Sequence, residues 1–489
     1  MHYRKLNREY KLVSILTLVG LLIRLQGIMS RSLWWDEFVS ISFANYSFPV
    51  EIIRKVYSNV NPPLFYLLLS VWIKVFGSTD LVLRIPPFIF AVASIPLLFI
   101  FMKKTINSDA GLVSALFLAL NPFHIFYSIE VRMYSAIVFC SLGSIIFFQR
   151  WLEKPTRSNA AVLILFNCIG LYMHYFFILI FVAQILYFLT VLRKQYKNFK
   201  NWVIVQIITI LMFVPWFPAI YHQYKGPDYG HFKRLNWINF VNLLKQISPG
   251  TCLNKGHLDS LSWILVIILA VTGIAGIIYN YFKNNKFNAM GLVFYFCVPI
   301  ICVWLQSISK PAFTQRNMII IVPFFIGLMV AGIFHFPGKP AKFILVFFVA
   351  ILSLASDWQI KDWHRDGGLR GDWKQAAIVL RKNFKKNDIL LLYPGQHHGW
   401  GIRYYCPDIV PVSHVYEAFI KTQEKETNDS LFEKISKLKH FDNTIWLVIC
   451  SEFAFTRWQE IVELLDQKYH RIKCTKFYNV RLYEYAEKE

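Results

Sequence analysis

Eleven apolar runs punctuate the first 357 residues of the chain, near 12–30, 81–102, 110–128, 134–149, 159–174, 176–192, 202–220, 261–281, 288–308, 317–335 and 341–357. Each approaches the roughly 17–25 residues that carry a helix across a bilayer, so the pattern predicts about 11 transmembrane helices. A further apolar stretch, Asn61 to Phe76, offers only about 20 Å of helix at ~1.5 Å per residue, against a hydrocarbon core of ~30 Å. It is expected to lie against the outer interface. With that segment outside, the clusters Lys103-Lys104, Arg150/Lys154/Arg157, Arg193/Lys194/Lys197/Lys200, Lys283/Lys286 and Lys339/Lys342 all become cytoplasmic, as the positive-inside rule asks. The basic start (Arg4, Lys5, Arg8, Lys11) leads into the first run, whose exit lacks a small-residue cleavage pattern. It reads as a retained anchor with a cytoplasmic N-terminus.

This topology puts outside a first loop of 31–80, a short loop at Glu130-Val131-Arg132, a long loop near 221–260, a turn at Lys310–Arg316 and everything after about 358. Within the first loop, Ile52, Ile53, Val56 and Tyr57 share one side at helical spacing, which predicts an amphipathic helix on the membrane surface. Beyond residue 358 the spans stop and charge density rises. Trp373, Ala376, Ala377, Leu380 and Phe384 form a helix face. Asp388 to Tyr393 reads as a buried strand closed by Pro394-Gly395, Thr444–Cys450 as a second strand, Phe455–Leu465 as a helix and Val480–Tyr485 as a last strand. The expected organisation is a transmembrane domain over 1–357, with the external loop 31–80 catalytic, and a small extracytoplasmic α/β domain over 358–489.

Composition agrees. The 489 residues are 56% hydrophobic, above the ~45–50% of soluble domains. The formal charge of +23 sits in short clusters between apolar runs rather than along one face, so topology accounts for it and nucleic acid is not an expected partner. No glycine-rich phosphate loop is present, which leaves nucleotide binding without support. The eight cysteines show no CxxC spacing; Cys252, Cys406, Cys450 and Cys474 are expected outside, where disulfides and free thiols are both open.

Four motifs then follow in order: Leu33-Trp34-Trp35-Asp36-Glu37, Asn61-Pro62-Pro63-Leu64-Phe65-Tyr66, Glu130-Val131-Arg132-Met133-Tyr134, and Pro311-Ala312-Phe313-Thr314-Gln315-Arg316. Together they resemble the polyprenyl-phosphate-sugar-dependent glycosyltransferases of family 39, which include protein mannosyltransferases and aminoarabinose transferases and share the C-type glycosyltransferase fold. Gly371-Asp372-Trp373 and Arg403-Tyr404-Tyr405 are similar to the external domain of bacterial members. Two positions depart from the pattern: Asn317, where a tyrosine usually follows the arginine, and Asn61, where a histidine often precedes the prolines. Both bear on donor-sugar preference more than on reaction type.

The resemblance implies an inverting transfer of a sugar from a polyprenyl monophosphate to a lipid, glycan or protein acceptor on the outer side of a bacterial cytoplasmic membrane. Such chemistry needs a base for the acceptor hydroxyl and positive charge for the departing phosphate. Asp36 is the expected base. Glu37 orients it, binds acceptor or holds a metal; the alternative for both carboxylates is to cap the helix that follows. Arg316, with Lys310 and Arg132, is the expected phosphate ligand, because guanidinium forks match phosphate oxygens; snorkelling to headgroups is the alternative for Arg316, and pairing with Glu130 the alternative for Arg132. Arg24 and Arg84 are weaker phosphate candidates. Trp35, Tyr66, Glu130 and Tyr134 are candidate acceptor or sugar contacts, and Glu130 with His174 is a candidate site for a divalent metal. No soluble cofactor is required. A polysaccharide polymerase or ligase using a diphosphate donor, or a lipid or sugar transporter, are the competing readings.

Overall fold

A computed structural model describes residues 2–28, 31–192, 199–226, 233–249, 257–284, 288–365, 372–385, 388–393, 400–409, 414–417, 444–450, 458–477 and 479–488. Gly371, Pro394-Gly395, Lys194, Lys197, Lys286, Cys252 and Phe455, each part of an expectation above, lie outside the described residues. The chain divides into two compact units: Met1–Ile28 with Phe43–Lys361, and Met29–Ser42 with Asp362–Glu489. The loop expected over 31–80 therefore contributes to both.

In chain order the helices up to the second long loop are α1 (His2–Ile28), α2 (Trp35–Ala44), α3 (Val50–Val56), α4 (Leu64–Phe76), α5 (Asp80–Thr105), α6 (Ser108–Ala119), α7 (Pro122–Ser128), α8 (Tyr134–Glu153), α9 (Arg157–Met173), α10 (Phe177–Tyr187), α11 (Phe199–Phe213), α12 (Phe217–Lys225) and α13 (Trp237–Ile247). The bundle continues with α14 (His257–Asn284), α15 (Met290–Ser309), a 3-10 turn Arg316–Ile321, α16 (Val322–His335) and α17 (Lys339–Arg365).

All eleven apolar runs are helical, but they are not equivalent. Among the described residues eight helices are long and apolar enough to cross a membrane, or nine if the bent pair α6–α7 counts as one span. The protein is thus a multi-span integral membrane protein, with fewer full-length spans than the apolar runs predict. The two shortfalls are α9 and the helix Phe177–Leu192, which meet at His174–Phe176, where the chain turns. The bend of 57° between α6 and α7 falls at Asn121-Pro122, where proline removes a backbone donor and the Asn121 side chain starts the next helix by accepting from the His124 N–H. As expected, Leu64–Phe76 is a short helix; in α3, Ile52 and Val56 are buried while Ile53 is exposed.

Backbone groups freed by these breaks must be satisfied within the protein, because a lipid core offers no donors. Arg24 does this at the α6 terminus: its guanidinium donates to Leu118 O (3.1 Å), Ala119 O (2.9 Å) and Gly20 O (2.9 Å), and contacts His124 Nδ1 at 2.8 Å. In α5, Pro86 cannot donate to Val82 O, and the Trp72 indole N–H of α4 fills that place at 2.8 Å. Arg84 donates to Ile28 O at 2.6 Å. Helix packing in lipid depends on close approach rather than on burial from water. The crossing of α14 and α16 illustrates it: a Cβ on Gly273 would lie 2.0 Å from Leu328 O, and one on Gly332 1.9 Å from Leu269 O. In the span Arg316–His335, 83% of the residues of its apolar window are buried, the largest share among the described spans.

The second unit contains α18 (Trp373–Asn383), β1 (Ile389–Tyr393), α19 (Trp400–Tyr405), β2 (His414–Glu417), β3 (Ile445–Cys450), α20 (Trp458–Lys468), β4 (Tyr469–Phe477) and β5 (Val480–Glu487). The sheet order is β2-β1-β3-β5-β4, with β1 parallel to β2 and β3, and β5 antiparallel to β3 and β4. The all-apolar β1 and β3 are central strands, as continuous hydrophobic runs should be. Ile461, Val462 and Leu465 of α20 complete their core. Buried Asp388 ties the strand starts together, accepting from Lys385 N–H (2.9 Å), Thr444 N–H (3.3 Å) and the Trp446 indole (2.9 Å). Of the cysteines expected outside, Cys406 and Cys474 are free thiols, as are Cys140, Cys168, Cys297 and Cys302 of the helices.

Candidate active site

The paired carboxylates open α2. The N–H groups of Glu37 and Phe38 donate to Trp34 O at 2.9 and 3.0 Å, and the Glu37 carboxylate accepts from the Trp34 N–H at 3.1 Å. That is the return half of a capping box, in which an acidic side chain at the third helical position satisfies the N-cap amide. Trp35 is the first residue of the helix and Asp36 the second, so Asp36 sits where a negative charge complements the helix dipole. Its backbone carbonyl accepts from the Ser40 hydroxyl at 3.1 Å.

The segment before α2 is clasped by residues of its own unit that lie far along the chain. Ser32 donates its hydroxyl to Asp372 Oδ1 at 2.9 Å and accepts from the Lys374 N–H at 3.1 Å. Leu33 N–H donates to the Tyr405 hydroxyl at 2.9 Å. Phe38 packs against the rings of Tyr404 and Tyr405 at 5.7 and 6.3 Å. Asp372 also caps α18 through the Gln375 N–H. Two motifs singled out in the sequence, around Asp372 and around Tyr404-Tyr405, are therefore the parts that hold the Trp35-Asp36-Glu37 segment in place.

In the first unit, the turn between α7 and α8 buries Glu130 and Arg132. The Arg132 guanidinium lies 6.0 Å from the Tyr134 ring centroid, and Tyr134 packs against His174 at 6.3 Å. Arg132, Arg316 and Asn317 all lie close to the His174 side chain, and His174 Nδ1 accepts from the Phe176 N–H at 3.1 Å. Arg316 starts the 3-10 turn that leads into α16. The structure thus gathers Arg132, Tyr134, His174 and Arg316 in one place. Beside them lies a cavity of about 520 Å³ lined by Asn61, His174, Tyr175, Gln223, Lys310 and Asn317, among others. Lys310 caps α15, donates to Tyr224 O at 2.9 Å and covers the Tyr224 ring at 4.0 Å. Tyr66 is buried against Phe43 at 5.2 Å and accepts from Asn59 Nδ2 at 3.4 Å; it does not line this cavity.

Sequence reasoning gave no role to Tyr175 or Gln223. The Tyr175 hydroxyl donates to Gln223 Oε1 at 2.6 Å and accepts from the Trp216 indole at 2.8 Å, while Gln223 Nε2 donates to Val56 O and Tyr57 O. Nothing local marks Gln223, which sits near the end of α12. Asn61 and Asn317, by contrast, were visible as the two departures from the family pattern, and both line the cavity. Among the described residues no group of three or more His, Cys, Asp and Glu side chains comes together that could hold a metal ion.

A bundle of many spans, together with a small α/β unit, is the C-type glycosyltransferase architecture, and the chain has that fold. Residues 60–218 match the family described as Dolichyl-phosphate-mannose-protein mannosyltransferase, in keeping with the resemblance its motifs carry. The structure is similar to ArnT from Cupriavidus metallidurans in the apo state (TM-score 0.61, 11% identity, 96% of this chain and 97% of that chain). It is likewise similar to the same protein bound to undecaprenyl phosphate (TM-score 0.62, 9% identity, the same coverage), and to the oligosaccharyltransferase of Archaeoglobus fulgidus (TM-score 0.56, 13% identity, 98% of this chain and 74% of that chain). No curated protein sequence matches the chain.

Proposed function

We propose that the protein is an inverting glycosyltransferase that takes a sugar from a polyprenyl monophosphate and passes it to a hydroxyl-bearing lipid, glycan or protein acceptor on the outer face of a bacterial cytoplasmic membrane. The observation that carries this reading is the convergence of Arg132 and Arg316 on His174 beside a cavity that Lys310 also lines. Three cations at one end of a lipid-embedded bundle suit a phosphate held on a long apolar tail.

In the proposed step the acceptor oxygen attacks the anomeric carbon from the face opposite the phosphate, and its proton passes to the Asp36 carboxylate. The bond between the anomeric carbon and the phosphate oxygen breaks, and the polyprenyl phosphate leaves with the electron pair. Arg316 and Arg132, with Lys310, stabilise the charge that develops there. Glu37 caps α2 through the Trp34 N–H, which supports giving it the orienting role and Asp36 that of the base. Glu130, Tyr134 and Trp35 are assigned to acceptor or sugar contact, and Tyr66, enclosed behind Phe43, to the packing behind them. A divalent ion, if one takes part, would use Glu130 and His174 with donors from substrate.

The test is lipid mass spectrometry of native-host membranes carrying wild-type protein or Asp36→Asn at matched levels. Accumulation of a polyprenyl monophosphate sugar in the variant alone supports the reading. Accumulation of a diphosphate-linked glycan would replace it with a polymerase or ligase, and no accumulated donor of either kind would turn it toward transport.

A further inference from the structure

A second cavity of about 540 Å³ opens at the opposite end of the same helices. Helix α15 joins the two: Asn288 and Ala289 at its start line this one, and Gln306 and Lys310 at its end line the cavity described above. Twenty residues separate the ends, about 30 Å at ~1.5 Å per residue. The fold makes the space by pressing α14 onto α16. Gly273 and Gly276 bring the backbones together, with His335 over Gly276 where a Cβ would lie 2.8 Å from Nδ1, while the ends of α5 and α15 form the other walls.

Its lining has one chemical character. Lys104, His335, Asn280 and Asn288 supply donors, Ile106, Ile277, Ala331 and Phe334 supply apolar walls, and no lining residue is acidic. Lys104 pairs with Glu153 at 2.9 Å in an exposed bridge, a kind that gives way readily to a better anion. Outside the lining itself, the Lys342 ammonium lies 5.3 Å from the Phe334 ring centroid. Into the same space opens the start of α15, whose N-cap is Ala289 and has no side-chain hydrogen bond. The first amides of a long helix, left without a cap, attract an anion through their N–H groups and the helix dipole. The geometry points to a binding site for a phosphate group, carried on a lipid or free, distinct from the site proposed for glycosyl transfer.

The full-length protein in detergent, titrated with dioctanoyl phosphatidic acid and read by native mass spectrometry, tests this. Lys104→Gln with His335→Gln is expected to lose one bound phosphatidic acid, with affinity at that site falling roughly tenfold or more, whereas Arg316→Gln leaves that site filled. Dioctanoylglycerol, with the same tails and no phosphate, should bind far more weakly. Ala289→Asp separates binding from folding, since a carboxylate at a helix start is favoured by the helix dipole: melting temperature should hold or rise while phosphatidic acid is excluded. Displacement by inorganic phosphate would support a free phosphate as the occupant, and resistance to it a lipid headgroup. Equal binding of dioctanoylglycerol, or undiminished binding in the double variant or in Ala289→Asp, would overturn the assignment.

Discussion

Glu37 returns its carboxylate to the Trp34 N–H at 3.1 Å, and the proposed function gives the base role to its neighbour Asp36. Glu37→Gln keeps an oxygen acceptor for that amide and should cost little fold stability, while Glu37→Ala removes the cap, at about 1 kcal/mol. Asp36→Asn is expected to lower glycosyl transfer by about 10²–10⁴-fold without changing thermal unfolding. Rate measurements on both variants in one membrane preparation separate the roles; equal losses for Asp36→Asn and Glu37→Gln would contradict the division.

Asp372 serves both Ser32 and the first turn of α18. Asp372→Ala should slow turnover several-fold and destabilise the second unit by about 1–2 kcal/mol. Asp372→Asn, which retains an acceptor oxygen, should restore most of the loss. A Ser32→Ala variant with unaltered turnover would show that the clasp does not matter for rate.

Arg316 and Arg132 both lie close to His174, and guanidinium is the better fork for phosphate. Arg316→Lys keeps the charge and loses the bidentate geometry. Turnover should fall by about tenfold for lysine and by about 10²-fold or more for glutamine, effects in the range of removing one transition-state donor. A Lys variant indistinguishable from wild type would reduce Arg316 to a headgroup anchor.

Arg24 satisfies the carbonyls of Leu118 and Ala119 at the helix break. Arg24→Met leaves them unpaired in an environment without water, which should destabilise the bundle by roughly 2–4 kcal/mol, read as a lower melting temperature in detergent. Trp72→Phe should act likewise at Val82 O, at about 1 kcal/mol.

Burial pushes the Cys406 thiol up to about 11, and the side chain is fully enclosed. Only the thiolate reacts, so Cys406 should resist maleimide at neutral pH in the folded protein and gain reactivity only as pH climbs toward that value or the unit unfolds. Half-buried Cys474 should label first. Mass spectrometry of the labelled peptides reads both.

The span pattern was legible because lipid imposes a length and a composition that no tertiary contact can override. The break at Asn121-Pro122 was less so, although an Asn-Pro pair inside an apolar run is a breaker signal; the run simply continued through it. Strand β4 escaped notice because it is an edge strand rich in Arg471, Lys473 and Lys476, and edges are protected by the very charges that hide the alternation. Within the candidate site, the acids at 36 and 37 and the arginines at 132 and 316 stood out by residue type at loop positions. The clasp from Ser32 to Asp372 did not, since a contact across that separation leaves no local trace. Nor did the cavity contacts of Gln223, whose Nε2 donates to backbone carbonyls that any sequence would supply.

The Ser32–Asp372 bond joins positions 340 residues apart, and this imposes an order in time on the making of the protein. The Asp36 loop is the first hydrophilic segment after the first span, yet its fastenings leave the ribosome only when most of the chain has been synthesised. At roughly 5–20 residues per second the loop waits tens of seconds for them. A polypeptide stalled or cleaved before residue 372 would hold the described spans of the bundle and none of the fastenings of its acidic loop.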